Sequence, residues 1–330
     1  MRILITGANG FVGSFVTEAL CTRPGVQVAC LVRRRSNLRW IAHLPVELVY
    51  GDVTDPASLA QAVRECEMII HTAGLVKARR RREFFHVNAQ GTKNLIAAAL
   101  RHAPRLRRFV YVSSQAAAGP AHGPFPLTED SPCRPLNSYG ASKRRGEQWL
   151  QRTPPRFSWT VVRPCAVYGP RDTETLAFVR MARRGWFPIP RTQSAGGGLV
   201  ALIHARDLAA AILAAADSPA AHRRIYFATD GLHYRWETLC QELERSLGVH
   251  CRRLSVPAPV VHAAGLIAEI AASFSGRAPM LTREKALEIT APFWMCSSER
   301  LQNDTGWRPR ITLPDGLRET VRWYEQQGWL

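Results

Sequence analysis

At 330 residues, with 46% hydrophobic and 21% charged content, the chain is long enough for one large or two intimately joined domains of ordinary globular composition. Its 44 Lys and Arg against 26 Asp and Glu give a net charge of +18, well above the roughly 2 to 8 usual for a small soluble domain, and favour anionic partners. The basic residues are scattered as doublets such as Arg107-Arg108 and Arg183-Arg184, with no helix-turn-helix, zinc finger or aromatic-studded strand, which disfavours nucleic acid.

Strands are expected at 2–6, 26–32, 47–50, 68–71, 108–113 and 158–163, with helices near 11–21, 56–65, 82–101 and 137–151. That alternation is the rhythm of a parallel sheet covered on both faces. The first apolar run is only a strand long and leads straight into glycines, so it does not read as a signal peptide. After Pro164 the alternation weakens, and Pro and Gly cluster at 185–198. One more strand and helix at 200–215 are expected to return to the sheet. The longest apolar stretch, 256–274, is broken by Pro257, Pro259, His262 and Glu269 and falls short of a membrane span. The eight cysteines lack the close spacing of zinc or redox motifs. They read as reduced, packed thiols of a cytoplasmic protein, and no metal is expected.

Thr6-Gly7-Ala8-Asn9-Gly10-Phe11-Val12-Gly13 follows the first strand and opens the first helix, where a pyrophosphate can rest on unpaired N–H groups. Gly7 would make the tight turn, Gly10 would let backbone approach phosphate, and Gly13 would let helix pack on strand. The expected fold is therefore α/β: a Rossmann-type doubly wound parallel sheet with a smaller, mixed C-terminal substrate-binding region. Residues 1–170 form the dinucleotide-binding part, with 200–230 returning to it; 171–199 and 231–330 form the substrate-binding region. At the end of the second strand, Leu31-Val32-Arg33-Arg34-Arg35-Ser36 offers no acid for a ribose 2′-OH but an arginine for a 2′-phosphate. NADP(H) is the expected cofactor, with NAD(H) the weaker alternative, Arg33 the 2′-phosphate ligand, and Arg34 or Ser36 assisting.

Tyr139 stands four residues before Lys143, alone in this among the seven tyrosines. A phenol titrates near about 10 and is a poor acid/base at neutral pH unless a cation stabilises its phenolate. On a helix the i, i+4 spacing can bring the ammonium of Lys143 to it.

The glycine turn, Gly51-Asp52-Val53, His71-Thr72-Ala73-Gly74, Val87-Asn88, Tyr111-Val112-Ser113-Ser114, Tyr139-x-x-x-Lys143 and Arg163-Pro164-x-x-Val167-Tyr168-Gly169-Pro170 occur in that order. Together they resemble the extended short-chain dehydrogenase/reductases, also called the NAD-dependent epimerase/dehydratase family. The resemblance covers nearly the whole chain. It implies that Ser114 hydrogen-bonds the reacting oxygen, Tyr139 exchanges its proton, and Lys143 lowers the tyrosine pKa while holding the nicotinamide ribose, with Ser113 the fallback serine. It further implies that Asp52 and Val53 flank the adenine, Ala73 and Gly74 line the cofactor cleft, Pro164 to Val167 pass the nicotinamide, and Asn88 supports the active-site helix or a proton relay.

Family members that dehydrate sugars carry an acidic pair after the active-site hydroxyl, whereas this chain reads Ser114-Gln115-Ala116-Ala117-Ala118. The segments around Ser114, Arg33 and Ile203-His204-x-x-Asp207 look most like dihydroflavonol and 3β-hydroxysteroid reductases. The leading expectation is reversible hydride transfer between NADP(H) and a secondary alcohol or ketone. A nucleotide-sugar epimerase is second, and a non-catalytic NADP-binding or membrane-associated scaffold third. The run Lys77 to Arg82 suits an anionic substrate or a solvated loop. Trp186, Phe187, Pro188, Trp236, Phe293 and Trp294 suggest a partly apolar pocket. The helices at 82–101 and 138–151 resemble the pair that forms family homodimers. By analogy with steroid-type relatives, 256–274 would pack in the second region, close as a lid or make a peripheral membrane contact.

Overall fold

The computed structural model describes residues 1–192, 198–275, 279 and 281–330, without the side chains of 273–275. The first half alternates as its pattern requires. It runs β1 (Arg2–Thr6), α1 (Phe11–Cys21), β2 (Gln27–Val32), β3 (Val46–Tyr50), α2 (Leu59–Val63) and β4 (Met68–His71). Then follow α3 (Arg81–Phe84), α4 (Thr92–His102), β5 (Arg108–Val112), α5 (Ser138–Gln151) and β6 (Ser158–Pro164). The second half holds β7 (Ala166–Tyr168), α6 (Thr173–Arg183), β8 (Trp186–Pro190), β9 (Leu199–His204), α7 (Ala205–Asp217) and β10 (Arg224–Ala228). It continues through β11 (His233–Arg235), α8 (Trp236–Leu247), β12 (Arg252–Val256), α9 (Ala258–Ser275), α10 (Arg283–Thr290), β13 (Phe293–Trp294), α11 (Glu299–Thr305) and α12 (Leu313–Gln326).

Seven parallel strands form one sheet in the order β10-β6-β5-β4-β1-β2-β3. Strands buried on both faces must be apolar throughout, and Ile3, Leu4, Ile5, Ile69 and Ile70 are fully buried. Phe15, Val16 and Leu20 of α1 join Leu208 and Ile212 of α7 in the core on one side. Leu59 and Val63 of α2, Leu95 of α4 and Leu150 of α5 fill the other. This is the doubly wound Rossmann-type architecture. Its strand order reverses between β1 and β4, and ligands of such sheets bind outside the carboxyl ends of the strands at that point.

Two sequence expectations change in detail. The helix expected over 82–101 is interrupted: α3 leads into a π-helical turn at Phe85–Gly91 before α4 begins. The strand at 200–204 does not return to the large sheet. β9 pairs instead with β7, β11 and β13, because β10 occupies the edge beside β6. Only α7, the helix of that segment, packs back, against α1. Alternating apolar residues specify a strand but not its sheet.

A third core gathers Leu176 and Val179 of α6, Leu243 of α8, and Leu317 and Tyr324 of α12. Nearby, Cys240, Glu244 and Cys251 bring three ligand-type atoms within 4.8 Å of one another. Arg253 donates to Glu244 at 3.3 Å and already neutralises the only carboxylate of that group.

Candidate active site

The glycine turn sits at the end of β1, at the reversal of strand order. Gly7 has φ +73°, and its carbonyl accepts from the Gly10 N–H at 2.9 Å. A Cβ on Gly13 would lie 2.1 Å from the Gly7 oxygen, so only glycine lets α1 approach its own turn this closely. Gly10 caps α1 without a side-chain hydrogen bond, leaving the first-turn N–H groups uncapped by side chains. Asn9 Nδ2 donates to the Asn37 carbonyl at 3.1 Å and ties the turn to the loop after β2. A cradle whose backbone N–H groups face a groove too tight for side chains fits a pyrophosphate.

In the adjoining loop the Ser36 N–H donates to the Arg33 carbonyl at 2.9 Å, while the Arg33 N–H donates to Ser36 Oγ at 3.2 Å. Arg33 and Ser36 both line the cavity, and Arg33 is exposed. Arg34 does not share that wall; its guanidinium stands 5.5 Å from the centre of the Tyr50 ring. Asp52 lines the cavity too, and its carboxylate accepts from the Thr54 N–H and hydroxyl, each at 2.8 Å.

Ser114, Tyr139 and Lys143 line the same cavity, of about 1880 Å³, as Gly7, Asn9, Gly10, Phe11, Val12, Gly13, Val53, Ala73, Gly74, Pro164 and Val167. Two local devices bring Ser114 and Tyr139 together. Asn137 caps α5 by accepting from the Gly140 N–H at 2.7 Å. Gly140 itself lies so close to the short helical turn after Ser114 that a Cβ there would be 2.1 Å from the Ala116 oxygen. Ser114 lies near enough to the Tyr139 phenol to lower its pKa. Ser113 is different: its hydroxyl donates to buried Glu147 at 2.6 Å and is committed there.

Burial pushes the Tyr139 phenol up to about 12, with Ser114 pulling it down and Glu288 pushing it further up. The expectation that Lys143 depresses this pKa is not met: burial outweighs the one opposing contribution, from Ser114, and Lys143 is not among the groups that shift the phenol. Burial also brings the Lys143 ammonium down to about 8, against the opposing charge of Glu147. Its Nζ donates to the Val112 carbonyl at 2.9 Å and stands 5.1 Å from the centre of the Tyr111 ring.

Asn88, in the π-helical turn, accepts from the Leu75 N–H at 2.7 Å and donates to Ser142 Oγ at 2.9 Å. Ser142 in turn donates to the Tyr139 carbonyl at 2.7 Å, so Asn88 ties the loop after β4 to α5. Beneath α5, Glu147 accepts from Arg163 Nε at 2.8 Å and Nη2 at 2.7 Å, and from Arg144 at 2.8 Å. Burial works to raise the Glu147 pKa, but Arg163 and the surrounding donors hold it below the ordinary range. Its contribution to stability is therefore present above the unfolded carboxyl's pKa and lost as pH falls through the lower folded value. Glu147→Ala leaves Arg163 buried and unpaired, and is expected to cost about 3–5 kcal/mol. Denaturant titration checks this; a loss below about 1 kcal/mol contradicts it.

The C-terminal half supplies part of the wall, as expected, but through acidic residues that sequence reasoning did not name. Glu284 of α10 accepts from the Ser138 N–H at 2.8 Å and hydroxyl at 2.6 Å, and Glu288 accepts from Asn137 Nδ2 at 2.8 Å. Lys285 donates to Glu288 at 2.7 Å, and all three line the cavity. Of the aromatic and proline candidates, Phe187, Pro188, Trp236 and Trp294 line it, whereas Trp186 and Phe293 do not. Residues 193–197 of the expected pocket loop lie outside the described residues. Lys77 of the basic run forms an ion pair with Glu174, while Arg79, Arg80 and Arg81 are exposed along the cavity.

Residues 3–227 match the family model described as the NAD dependent epimerase/dehydratase family. The chain belongs to this family. It is 33% identical to a ceramide reductase of Caulobacter vibrioides, over 99% of this chain and 96% of that protein. It is 27% identical to a 4-hydroxy-2-methyl-3-oxo-4-farnesyl-3,4-dihydroquinoline-1-oxide ketoreductase of Stigmatella aurantiaca, over 96% and 95% of the two chains. Its fold superimposes on the UDP-glucose 4-epimerase of Thermus thermophilus, solved with NAD, with a TM-score of 0.78 at 22% identity and 98% and 99% coverage. This family member is an oxidoreductase or an epimerase.

Proposed function

We propose that the protein is an NADP(H)-dependent reductase of a ketone carried on a long-chain lipid. The observation that carries this reading is the cavity itself, which runs from the glycine turn past Ser114, Tyr139 and Lys143 to apolar walls at Phe187, Trp236, Val256 and Val261. The two reductase relatives, named for a ceramide and for a farnesylated ketone, support a lipid substrate. Exposed Arg33, with no acidic residue from Leu31 to Ser36, supports a 2′-phosphate.

When bound, NADPH would supply the hydride that adds to the carbonyl carbon. Ser114 donates a hydrogen bond to the carbonyl oxygen, and Tyr139 delivers the proton that completes the alcohol. A phenol held at about 12 is protonated at neutral pH and so can give a proton to the carbonyl oxygen in the reducing direction. Lys143, whose Nζ donates to the Val112 carbonyl at the crevice floor, would hold the nicotinamide ribose beside the phenol. Because its ammonium loses its proton near pH 8, kcat/KM is expected to fall roughly tenfold per unit above that pH. The always charged Lys143→Arg should lose this alkaline limb while lowering the plateau. A profile flat to pH 10 contradicts the role of Lys143.

A reductase releases its nucleotide in every cycle, whereas an epimerase retains it without net turnover. Incubation with a long-chain 3-oxo lipid should therefore consume many equivalents of NADPH per protein. Tightly copurifying nucleotide with no net consumption, alongside sugar interconversion, would favour the epimerase. We further propose a homodimer through α4 and α5, where half-buried Trp149 packs with Lys93, Arg145 and Arg152. Analytical ultracentrifugation checks this; a monomer at every concentration contradicts it.

A further inference from the structure

The helix α9 turns an apolar face outward. Its outward residues include Val260, Ala263, Leu266, Ile267, Ile270 and Ala271, all exposed. At 3.6 residues per turn they occupy one continuous arc of roughly 140°. Ile267 is 66% exposed, Val260 and Ile270 54%, and Leu287 of the adjoining α10 46%. The sole charged residue of the helix, Glu269, points the other way and accepts from the Arg283 N–H at 2.8 Å and Nε at 2.9 Å. Gly265 fixes that inward side, since a Cβ there would lie 2.8 Å from the Thr282 carbonyl oxygen. A surface helix in water shows the reverse arrangement, and a contiguous exposed apolar face marks an interaction site.

Charge selects the occupant. The arc carries no acidic residue, while Arg252 is exposed on β12 before it; Arg253 and Arg283, exposed on either side, are paired with Glu244 and Glu269 yet remain 40% and 66% accessible. Arg79 and Arg80, also exposed, line the same cavity as Val260, Val261 and Ala264. A second copy docking through the same face would set these cations against themselves. An anionic surface with an apolar interior satisfies both features at once. No helix among the described residues is long and apolar enough to cross a membrane, so the contact would lie in the interface plane.

We propose that the outer face of α9 docks this protein on an anionic phospholipid bilayer, with Ile267 and Ile270 entering the acyl boundary and the flanking arginines meeting headgroup phosphates. The surface stands independently of which reaction the cavity performs. Neither Ile267 nor Ile270 lines that cavity, so changing them leaves the proposed chemistry in place.

The test is cosedimentation of the full chain with vesicles of phosphatidylcholine alone or with a third phosphatidylglycerol, at low and high salt. Wild-type protein should bind the anionic vesicles at least tenfold more tightly than the neutral ones, and less tightly as salt rises. The double variant Ile267→Glu with Ile270→Glu should lose at least tenfold of that binding while its thermal midpoint and NADPH affinity stay unchanged. Wild-type protein that remains in the supernatant with anionic vesicles overturns the proposal, as does a double variant that binds them normally. A dimer that the double variant converts to monomer, without vesicle binding by either, would instead make the face a contact between copies and also overturns it.

Discussion

Replacing Tyr139 by phenylalanine is expected to lower kcat/KM by about 10²–10⁴-fold, the range associated with loss of a positioned proton donor. The ring would keep its place, because the contacts that hold it do not use the hydroxyl: Phe84 meets it edge-on at 6.1 Å, and its carbonyl accepts from Ser142. NADPH affinity should therefore change little. Steady-state kinetics beside a fluorescence titration of bound NADPH separate the two effects. A variant that keeps more than a tenth of the activity would remove the phenol from the proton-transfer role and return the non-catalytic scaffold to consideration.

The second large effect is expected at Arg33. Hydrogen bonds to charged groups contribute about 1.5–3 kcal/mol, and an aspartate in the same place adds repulsion, so Arg33→Asp should raise the KM for NADPH by about 100-fold. NADH lacks the 2′-phosphate, and its KM should move by less than about threefold. The comparison matters because Arg34, turned onto Tyr50, is not placed on the cavity wall to compensate. Equal changes for the two nucleotides would remove Arg33 from the phosphate site.

The parts of this architecture that are legible in the sequence are local. The glycine turn announces itself because three glycines meet a strand end and a helix start within eight residues, and each steric reason belongs to the segment itself. Tyr139 and Lys143 are readable because helical spacing alone can place them on one face. The interruption at Phe85–Gly91 is hidden because a π-helical stretch of seven residues inside a helix is too short to leave a period of its own. The partner sheet of β9 depends on β7 and β11, which periodicity within β9 does not encode. Glu284 and Glu288 reach the cap of α5 across 146 and 151 residues of sequence, beyond any spacing argument. The direction of the Tyr139 shift escapes sequence reasoning for a related reason. A neighbouring lysine can be counted along a helix, whereas the burial that sets the direction arises from the whole enclosure of the cavity.

That enclosure also keeps the Tyr139 phenol protonated at neutral pH. In the proposed reaction it would give its proton to the carbonyl oxygen as hydride arrives. The most direct measurement is a single turnover with NADPH deuterated on the transferred face of C4 and a long-chain 3-oxo lipid, read by mass spectrometry of the product. The account predicts one deuterium on the carbinol carbon with wild-type protein and none at the same time point with Tyr139→Phe carrying an equal load of nucleotide. Deuterium that stays on the nucleotide in wild-type protein, or reaches product equally fast in the variant, would contradict it.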